Sequence, residues 1–148
     1  MSTLEEEIDI EVPAQVAWEQ LHRVADYPRF VDGVLHAHSH GNSRAHFDIE
    51  VDGGERAFET TMTDRGGNQV MTWQTMDGAH LKGALALLPL APGTTRLQVR
   101  VEYDPQAVHE VFGGPHGFAQ AGAIERTVRG DLERFKHLVE EERPLPGG

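Results

Sequence analysis

Three histidines alternate along residues 36–40, at His36, His38 and His40. Alternate residues of a β-strand share one face, so neighbouring imidazoles in this row would stand roughly 7 Å apart, close enough for two to bind one metal ion. His46 on the next predicted strand is a candidate further ligand. The competing interpretation is an exposed strand edge without a metal. We favour it because no carboxylate arrangement accompanies the row, and we expect no metal and no other cofactor.

A second set of residues, Asp77, His80 and Tyr103, has the side chains needed to move protons in general acid–base catalysis. However, Asp77 with Gly78 forms a predicted turn, and His80 begins a strand where hairpin residues are usually exposed. We therefore interpret the set as structural and assign no catalytic residue. The sequence contains neither the Gly-x-Ser-x-Gly of acyl hydrolases nor the phosphate-binding Gly-x-x-x-x-Gly-Lys, which argues against both functions.

Alternation of apolar and polar residues dominates the middle of the chain. Ala45, Phe47 and Ile49 alternate with charged residues, a pattern typical of a strand with one face toward solvent. The same alternation, interrupted by glycine-containing turns, predicts six strands between residues 31 and 103. One earlier strand is predicted to begin at Ile8. Consecutive hairpins favour an antiparallel sheet, which must bury its apolar face against another element.

Helical spacing appears on either side of these strands. Pro13 stands where a first helical turn tolerates proline, an apolar stripe continues to Leu21, and a short helical turn is predicted near Tyr27. Near the C-terminus, residues 116–142 predict a helix of roughly 40 Å that would cover the sheet. Its apolar stripe consists of Ala121, Ile124, Val128, Leu132, Phe135 and Val139.

Short groups of residues recur within and beside these elements. They are Pro13, Ala14 and Trp18 after the first strand, Tyr27, Pro28 and Phe30 in the short turn, and Phe135, Lys136, Leu138 and Glu140 in the last helix. Together with the order of the elements, they resemble the START-like (SRPBCC) polyketide cyclase/dehydrase superfamily over nearly the whole chain. The resemblance implies an α+β helix-grip fold, in which a curved antiparallel sheet of about seven strands wraps the C-terminal helix.

The resemblance also implies a cavity between sheet and helix that binds an apolar or aromatic ligand. Inward-facing positions of the predicted strands, the segment before the last helix and the helix itself provide the candidate ligand-binding residues. These are Phe58, Thr60, Met62, Trp73, Leu85, Leu87, Val101, Tyr103, Phe112, Phe118 and Ile124. Mostly hydrocarbon with a few hydroxyls, this set has the composition of a small-molecule pocket.

Three functions remain open. The first is binding of an apolar, aromatic or polyketide-like small molecule, the second a polyketide cyclase or aromatase acting on a poly-β-ketone, and the third a lipid or quinone carrier or chaperone. Cyclases of the resembling family carry an arginine inside the pocket, but residues 56–63 offer threonine or methionine there. We interpret Arg56, Arg96 and Arg100 as solvent-facing partners of the acidic residues Asp48, Glu50 and Glu59.

Size and composition limit the remaining possibilities. The 148 residues predict one ligand-binding domain over residues 1–142, a hinge or lid over 104–115 and a flexible tail over 143–148. A net charge of −11 disfavours nucleic acids and anionic membranes. The absence of cysteine excludes disulfides and thiol chemistry. With no signal peptide or long apolar run, we expect a cytoplasmic monomer or homodimer without stable membrane insertion.

Overall fold

Seven antiparallel strands form one sheet in the order β1-β7-β6-β5-β4-β3-β2. The computed structural model describes residues 2–31, 33–41, 43–51, 54–65, 69–76, 81–104 and 123–142. The strands are β1 (Ser2–Ile10), β2 (Val34–His40), β3 (Arg44–Val51), β4 (Gly54–Arg65), β5 (Val70–Thr75), β6 (Leu81–Ala91) and β7 (Thr94–Tyr103). β1 pairs with β7 and not with β2, the next strand in sequence. β1 and β2 are therefore the two edges of the sheet.

The chain leaves β1 at one end of the sheet and enters helix α1 (Ala14–Leu21) directly. Val12 is fully buried, and its carbonyl accepts a 2.8 Å hydrogen bond from the Thr95 hydroxyl on β7. Pro13 precedes the first helical residue with a φ of −60°, an angle that its ring already imposes. A 3₁₀ helix (Val24–Arg29) then leads to β2.

Helix α2 (Ala123–Glu142) covers the apolar face of the sheet. Among its described side chains, the buried ones are Leu132, Phe135, Leu138 and Val139. At the β1 edge, Lys136 donates a 2.8 Å hydrogen bond to the Asp9 carbonyl, and the Glu140 carboxylate accepts one of 2.8 Å from the Glu11 amide. Both contacts fix the helix to backbone groups of the first strand and the turn after it.

The predicted helix-grip fold with seven strands and a C-terminal helix is confirmed. One boundary differs, since β1 begins at Ser2, six residues before the predicted strand at Ile8. The intervening residues escaped detection because acidic side chains dominate this solvent-facing edge. The predicted lid beyond Asp104, residues 116–122 of the predicted helix and the predicted tail lie outside the described residues. None of the helices in the described ranges combines the length and hydrophobicity that a bilayer-spanning segment requires.

Candidate functional site

A cavity of about 280 Å³ lies between the concave face of the sheet, the 3₁₀ helix region and α2. Its lining side chains are Leu21, Tyr27, Phe30, Val31, Val34, Phe47, Ile49, Phe58, Thr60, Met62, Trp73, Thr75, Leu81, Leu85, Leu97, Val99, Val101, Thr127, Val128, Asp131, Leu132 and Phe135. The wall is therefore almost entirely hydrocarbon, because alternate residues of every central strand point inward.

The structure brings most of the predicted ligand-binding residues together. Those that line the cavity are Phe58, Thr60, Met62, Trp73, Leu85 and Val101. Leu87 is instead buried in the hydrophobic core, and Tyr103 packs against that core at the end of β7, so neither belongs to the cavity wall. Phe112 and Phe118 lie outside the described residues, as does the side chain of Ile124.

Sequence reasoning missed one wall of the cavity, which the 3₁₀ helix region supplies. The Tyr27 ring lies 5.0 Å from the Phe30 ring and 5.7 Å from the Phe47 ring, and Phe30 meets Phe135 of α2 edge-on at 5.0 Å. Such edge-to-face and tilted contacts suit aromatic quadrupoles. Tyr27 and Phe30 were singled out only as motif residues, because an irregular segment has no periodicity that reveals which side faces inward.

Trp73 owes its position in the wall to a glycine on the adjacent strand. Gly83 pairs with Trp73, and a Cβ placed on Gly83 would lie 2.7 Å from the indole ring and 2.4 Å from the Arg100 carbonyl. Any larger residue would collide with both groups. Leu81 and Leu85, two positions away on either side, line the same cavity, so the indole fills the gap that the missing side chain leaves between them.

Two of the hydroxyl groups in the wall are already committed to the backbone. Thr75 donates a 3.2 Å hydrogen bond to the Leu81 carbonyl and accepts one of 3.1 Å from the Leu81 amide. The buried Tyr27 hydroxyl donates to the Leu21 carbonyl at 2.7 Å. Burial raises the pKa of Tyr27 well above its ordinary value. The Tyr27 phenol therefore stays protonated at neutral pH and holds α1 against the 3₁₀ helix.

A charged group stands on the helix side of the cavity. The Asp131 carboxylate accepts a hydrogen bond from the Arg134 guanidinium one turn later on α2. Arg134 also donates through Nε to the Phe30 carbonyl at 3.1 Å. The guanidinium thus ties the helix to the aromatic wall and fixes the carboxylate beside it.

The arginines on β7 form ion pairs outside the cavity, but their predicted partners were wrong. Arg96 donates through Nε to Asp9 at 2.8 Å and holds the pKa of that carboxyl below its ordinary range. Arg100 lies 3.9 Å from Glu5 and 3.7 Å from Glu102. The reason is topological, because β7 pairs with β1 and not with β3, where the predicted partners lie.

The third arginine of this prediction is Arg56 on β4. Its guanidinium carbon lies 5.4 Å from the centre of the Phe58 ring. Among the described residues, no arginine lines the cavity. Asp77 and His80 lie outside the described residues, so their predicted structural role stays a prediction.

His36 and His38 are exposed on β2, at the edge of the sheet. His46 contacts Glu59 through Nδ1 at 2.5 Å and Asp48 through Nε2 at 2.9 Å, and its ring stacks on His38 at 4.8 Å. Both ring nitrogens of His46 therefore already have carboxylate partners. In the part of the chain that the structure describes, no group of three potential ligand side chains could hold a metal ion.

The carboxylates around His46 predict a pH dependence. Hydrogen bonds to Glu59 and then to Asp48 raise the pKa of His46 above its ordinary value of about 6.5. Because the folded pKa exceeds the unfolded one, the stabilisation is fully present below about pH 6.5 and is lost as the pH rises through the folded pKa. An NMR titration of the His46 ring should show the raised pKa, and Glu59→Gln should lower it. Glu55→Gln, further along β4, should leave it unchanged, and an ordinary His46 pKa in the wild type would contradict the prediction.

Solved structures of other proteins share the fold of this chain. Zhui aromatase/cyclase from Streptomyces sp. R1128 superposes with a TM-score of 0.78 at 16% identity, over 99% of this chain and 98% of that chain. A START superfamily protein from Mycobacterium smegmatis superposes with a TM-score of 0.75 at 14% identity, over 95% of this chain and 99% of the other. At these identities the likeness shows the fold alone.

Sequence comparison shows the family of this chain as well as its fold. An uncharacterized 17.2 kDa protein from the melC2-rnhH intergenic region of Streptomyces lincolnensis is 29% identical over 149 aligned residues, which cover 100% of this chain and 96% of the relative. Residues 1–140 match the family described as polyketide cyclase/dehydrase and lipid transport. Since that match covers nearly the whole chain, the protein belongs to the polyketide cyclase/dehydrase and lipid transport family.

Proposed function

We propose that the protein binds an apolar, aromatic or polyketide-like small molecule in the cavity between the sheet and α2. The observation that supports this most directly is the cavity itself, whose wall consists almost wholly of aliphatic and aromatic side chains. Small-molecule sites have this composition, with a few polar groups that orient the ligand. Family membership supports the same class of ligand.

The size of the cavity supports a ligand of about two fused rings. An engineered apolar cavity of roughly 150 Å³ accommodates benzene, and the cavity here measures about 280 Å³. Trp73 and Phe58 stand in its wall, where aromatic side chains can stack on or meet the edge of a flat ligand. A planar bicyclic compound is therefore a suitable probe.

Binding without turnover is favoured over catalysis. The Tyr27 hydroxyl is held by a backbone carbonyl and stays protonated, and the described cavity wall contains no arginine or histidine. A poly-β-ketone cyclase needs groups that move protons or stabilise an enolate. The second candidate function, cyclase or aromatase activity, is favoured by the family and by the Asp131 carboxylate in the wall.

A cavity-filling substitution tests the binding function. Val128 lies half-buried in the wall on α2, and Val128→Phe places a ring in the cavity. We expect one-to-one binding of a neutral naphthalene-based dye to the wild type with micromolar affinity, and at least a tenfold loss in the variant, which corresponds to about 1.4 kcal/mol. Dye fluorescence titration measures both.

The matched control is Glu133→Phe on the exposed side of the same helix. It adds the same ring outside the cavity, so the dye affinity should stay within about twofold and the stability within about 0.5 kcal/mol. Absence of saturable binding to the folded wild type would overturn the proposal. Equal losses in both variants would place the dye on the surface of the helix instead.

Turnover is tested separately by adding the wild type to a polyketide synthase system and comparing products with and without it. An unchanged product distribution is the expected result. A new cyclised product would favour the cyclase, whereas lipid or quinone retained in native mass spectrometry of fresh protein would favour the carrier.

A further inference from the structure

Thr60 places a hydroxyl group in the sheet side of the cavity wall. It lies on β4 between Phe58 and Met62, which line the same cavity, and the residue is only 6% exposed. A hydroxyl group in such apolar surroundings can replace its lost hydration only by a hydrogen bond to another polar group. The partner of this hydroxyl therefore bears directly on what the cavity binds.

The two neighbouring strands supply no such partner. Ala45 of β3 and Thr75 of β5 are the residues paired with Thr60 in the sheet. Ala45 carries only a methyl group, and the Thr75 hydroxyl donates to the Leu81 carbonyl at 3.2 Å. Across the described ranges, no residue is hydrogen-bonded to the Thr60 side chain, although every fully enclosed side-chain nitrogen or oxygen there has a partner. The Thr60 oxygen is therefore not enclosed by protein, and the open space beside it is the cavity.

Other hydrogen-bonding side chains of the described wall differ from Thr60. The hydroxyls of Tyr27 and Thr75 are bonded to backbone carbonyls. Thr127 and Trp73 are only half-buried. Thr60 thus combines deep burial with a hydroxyl that no described protein group satisfies, and a bound molecule can satisfy it.

The chemistry of this hydroxyl selects among ligands. A threonine hydroxyl carries one polar hydrogen, and a ligand carbonyl oxygen can accept it. That pairing leaves no polar hydrogen without an acceptor, whereas a ligand hydroxyl would bring a second one into an apolar wall. The described wall contains no lysine, arginine or histidine, so an anionic ligand would lose hydration without gaining a positive partner.

We propose that Thr60 determines the polar end of the ligand, namely the carbonyl oxygen of a neutral aromatic ketone or quinone, which accepts a hydrogen bond from the Thr60 hydroxyl. The rings of the ligand then fill the apolar remainder of the cavity, where Phe58 and Trp73 can contact them. This inference rests on the proposed binding function and adds the identity of the ligand class. Thr60 acts as a specificity residue.

Two compounds of nearly the same shape test the inference by displacement of the neutral naphthalene-based dye. 2-Acetylnaphthalene has the carbonyl group, and 2-isopropenylnaphthalene has a carbon–carbon double bond in its place. Thr60→Val removes the hydroxyl with little change in shape, so the ratio of ketone affinity to hydrocarbon affinity should fall about fivefold, as for one neutral hydrogen bond. Thr63→Val makes the same substitution at an exposed position of β4 and should leave the ratio unchanged.

Two further measurements do not depend on affinity. In infrared spectra, the carbonyl stretching frequency of bound 2-acetylnaphthalene should be lower in the wild type than in Thr60→Val, because a hydrogen bond weakens the C=O bond. In chemical denaturation without ligand, Thr60→Val should be at least as stable as the wild type, since it loses a hydroxyl that has no protein partner. A marked loss of stability would show that the hydroxyl is satisfied within the protein and would overturn the inference.

An affinity ratio that is the same in the wild type and Thr60→Val would also overturn the inference while leaving the proposed binding function in place. So would equal falls of the ratio in Thr60→Val and Thr63→Val, or equal carbonyl frequencies in the wild type and Thr60→Val. Failure of the wild type to bind both compounds and the dye would overturn the binding function itself.

Discussion

Val101→Arg is expected to lower the free energy of unfolding by several kcal/mol and to abolish binding of the naphthalene dye. Val101 is only 7% exposed, and its side chain lines the cavity from β7. An arginine there would bury its charge among aliphatic side chains without an ion-pair partner. Burial of an unpaired charge is among the most destabilising effects of a single substitution. Its long side chain would also occupy the space that the ligand needs. Chemical denaturation and dye titration measure the two effects.

Gln98→Arg on the same strand is the matched control. Gln98 is exposed and donates a 3.3 Å hydrogen bond to Glu7 of β1, so an arginine there gains an acidic neighbour and stays in solvent. Its effect on stability should remain within about 0.5 kcal/mol. If Val101→Arg behaves like this control in both measurements, Val101 does not face the cavity.

Phe135→Ala should lower the free energy of unfolding by about 3–5 kcal/mol. Phe135 is 1% exposed, belongs to the hydrophobic core and meets the Phe30 ring edge-on at 5.0 Å. Its removal would therefore take away both buried area and an aromatic contact that joins α2 to the 3₁₀ helix region. Phe135 also lines the cavity, so its removal enlarges the cavity. Folded Phe135→Ala protein should therefore bind larger polycyclic compounds better than the wild type does.

His137→Ala, two residues further along α2 and exposed, provides the control for the helix itself. Loss of its side chain should change the stability little, since alanine favours helices and no buried area is lost. Comparable losses in the two variants would mean that alanine substitution anywhere on α2 is costly, and the specific role of Phe135 in the core would be refuted.

The sequence was sufficient for the layers of the fold. Strict alternation in β3, β4 and β7 is visible because one face of each strand meets the core and the other meets solvent, and the helical stripe through Leu132, Phe135 and Val139 is visible for the same reason. The same alternation placed Phe58, Thr60 and Met62 on the inner face of β4, where they line the cavity. Local periodicity therefore carries both the fold class and part of the cavity wall.

Which inward-facing residues border the cavity was decided only by tertiary structure. Leu85 and Leu87 face the same side of β6, yet Leu85 lines the cavity and Leu87 is buried in the core. Periodicity predicts that a residue faces inward, but the packing of other elements over the sheet determines whether another side chain or empty space lies opposite.

Tertiary structure also decided every contact between residues far apart in sequence. Arg96 meets Asp9 because β1 pairs with β7, and that pairing across the sheet is not encoded in either strand alone. Asp131 resembles any acidic residue of an exposed helix until the curved sheet and the 3₁₀ helix close around it. The sequence determined the elements through short-range patterns, whereas the cavity and the position of Asp131 in its described wall arise from how those elements pack.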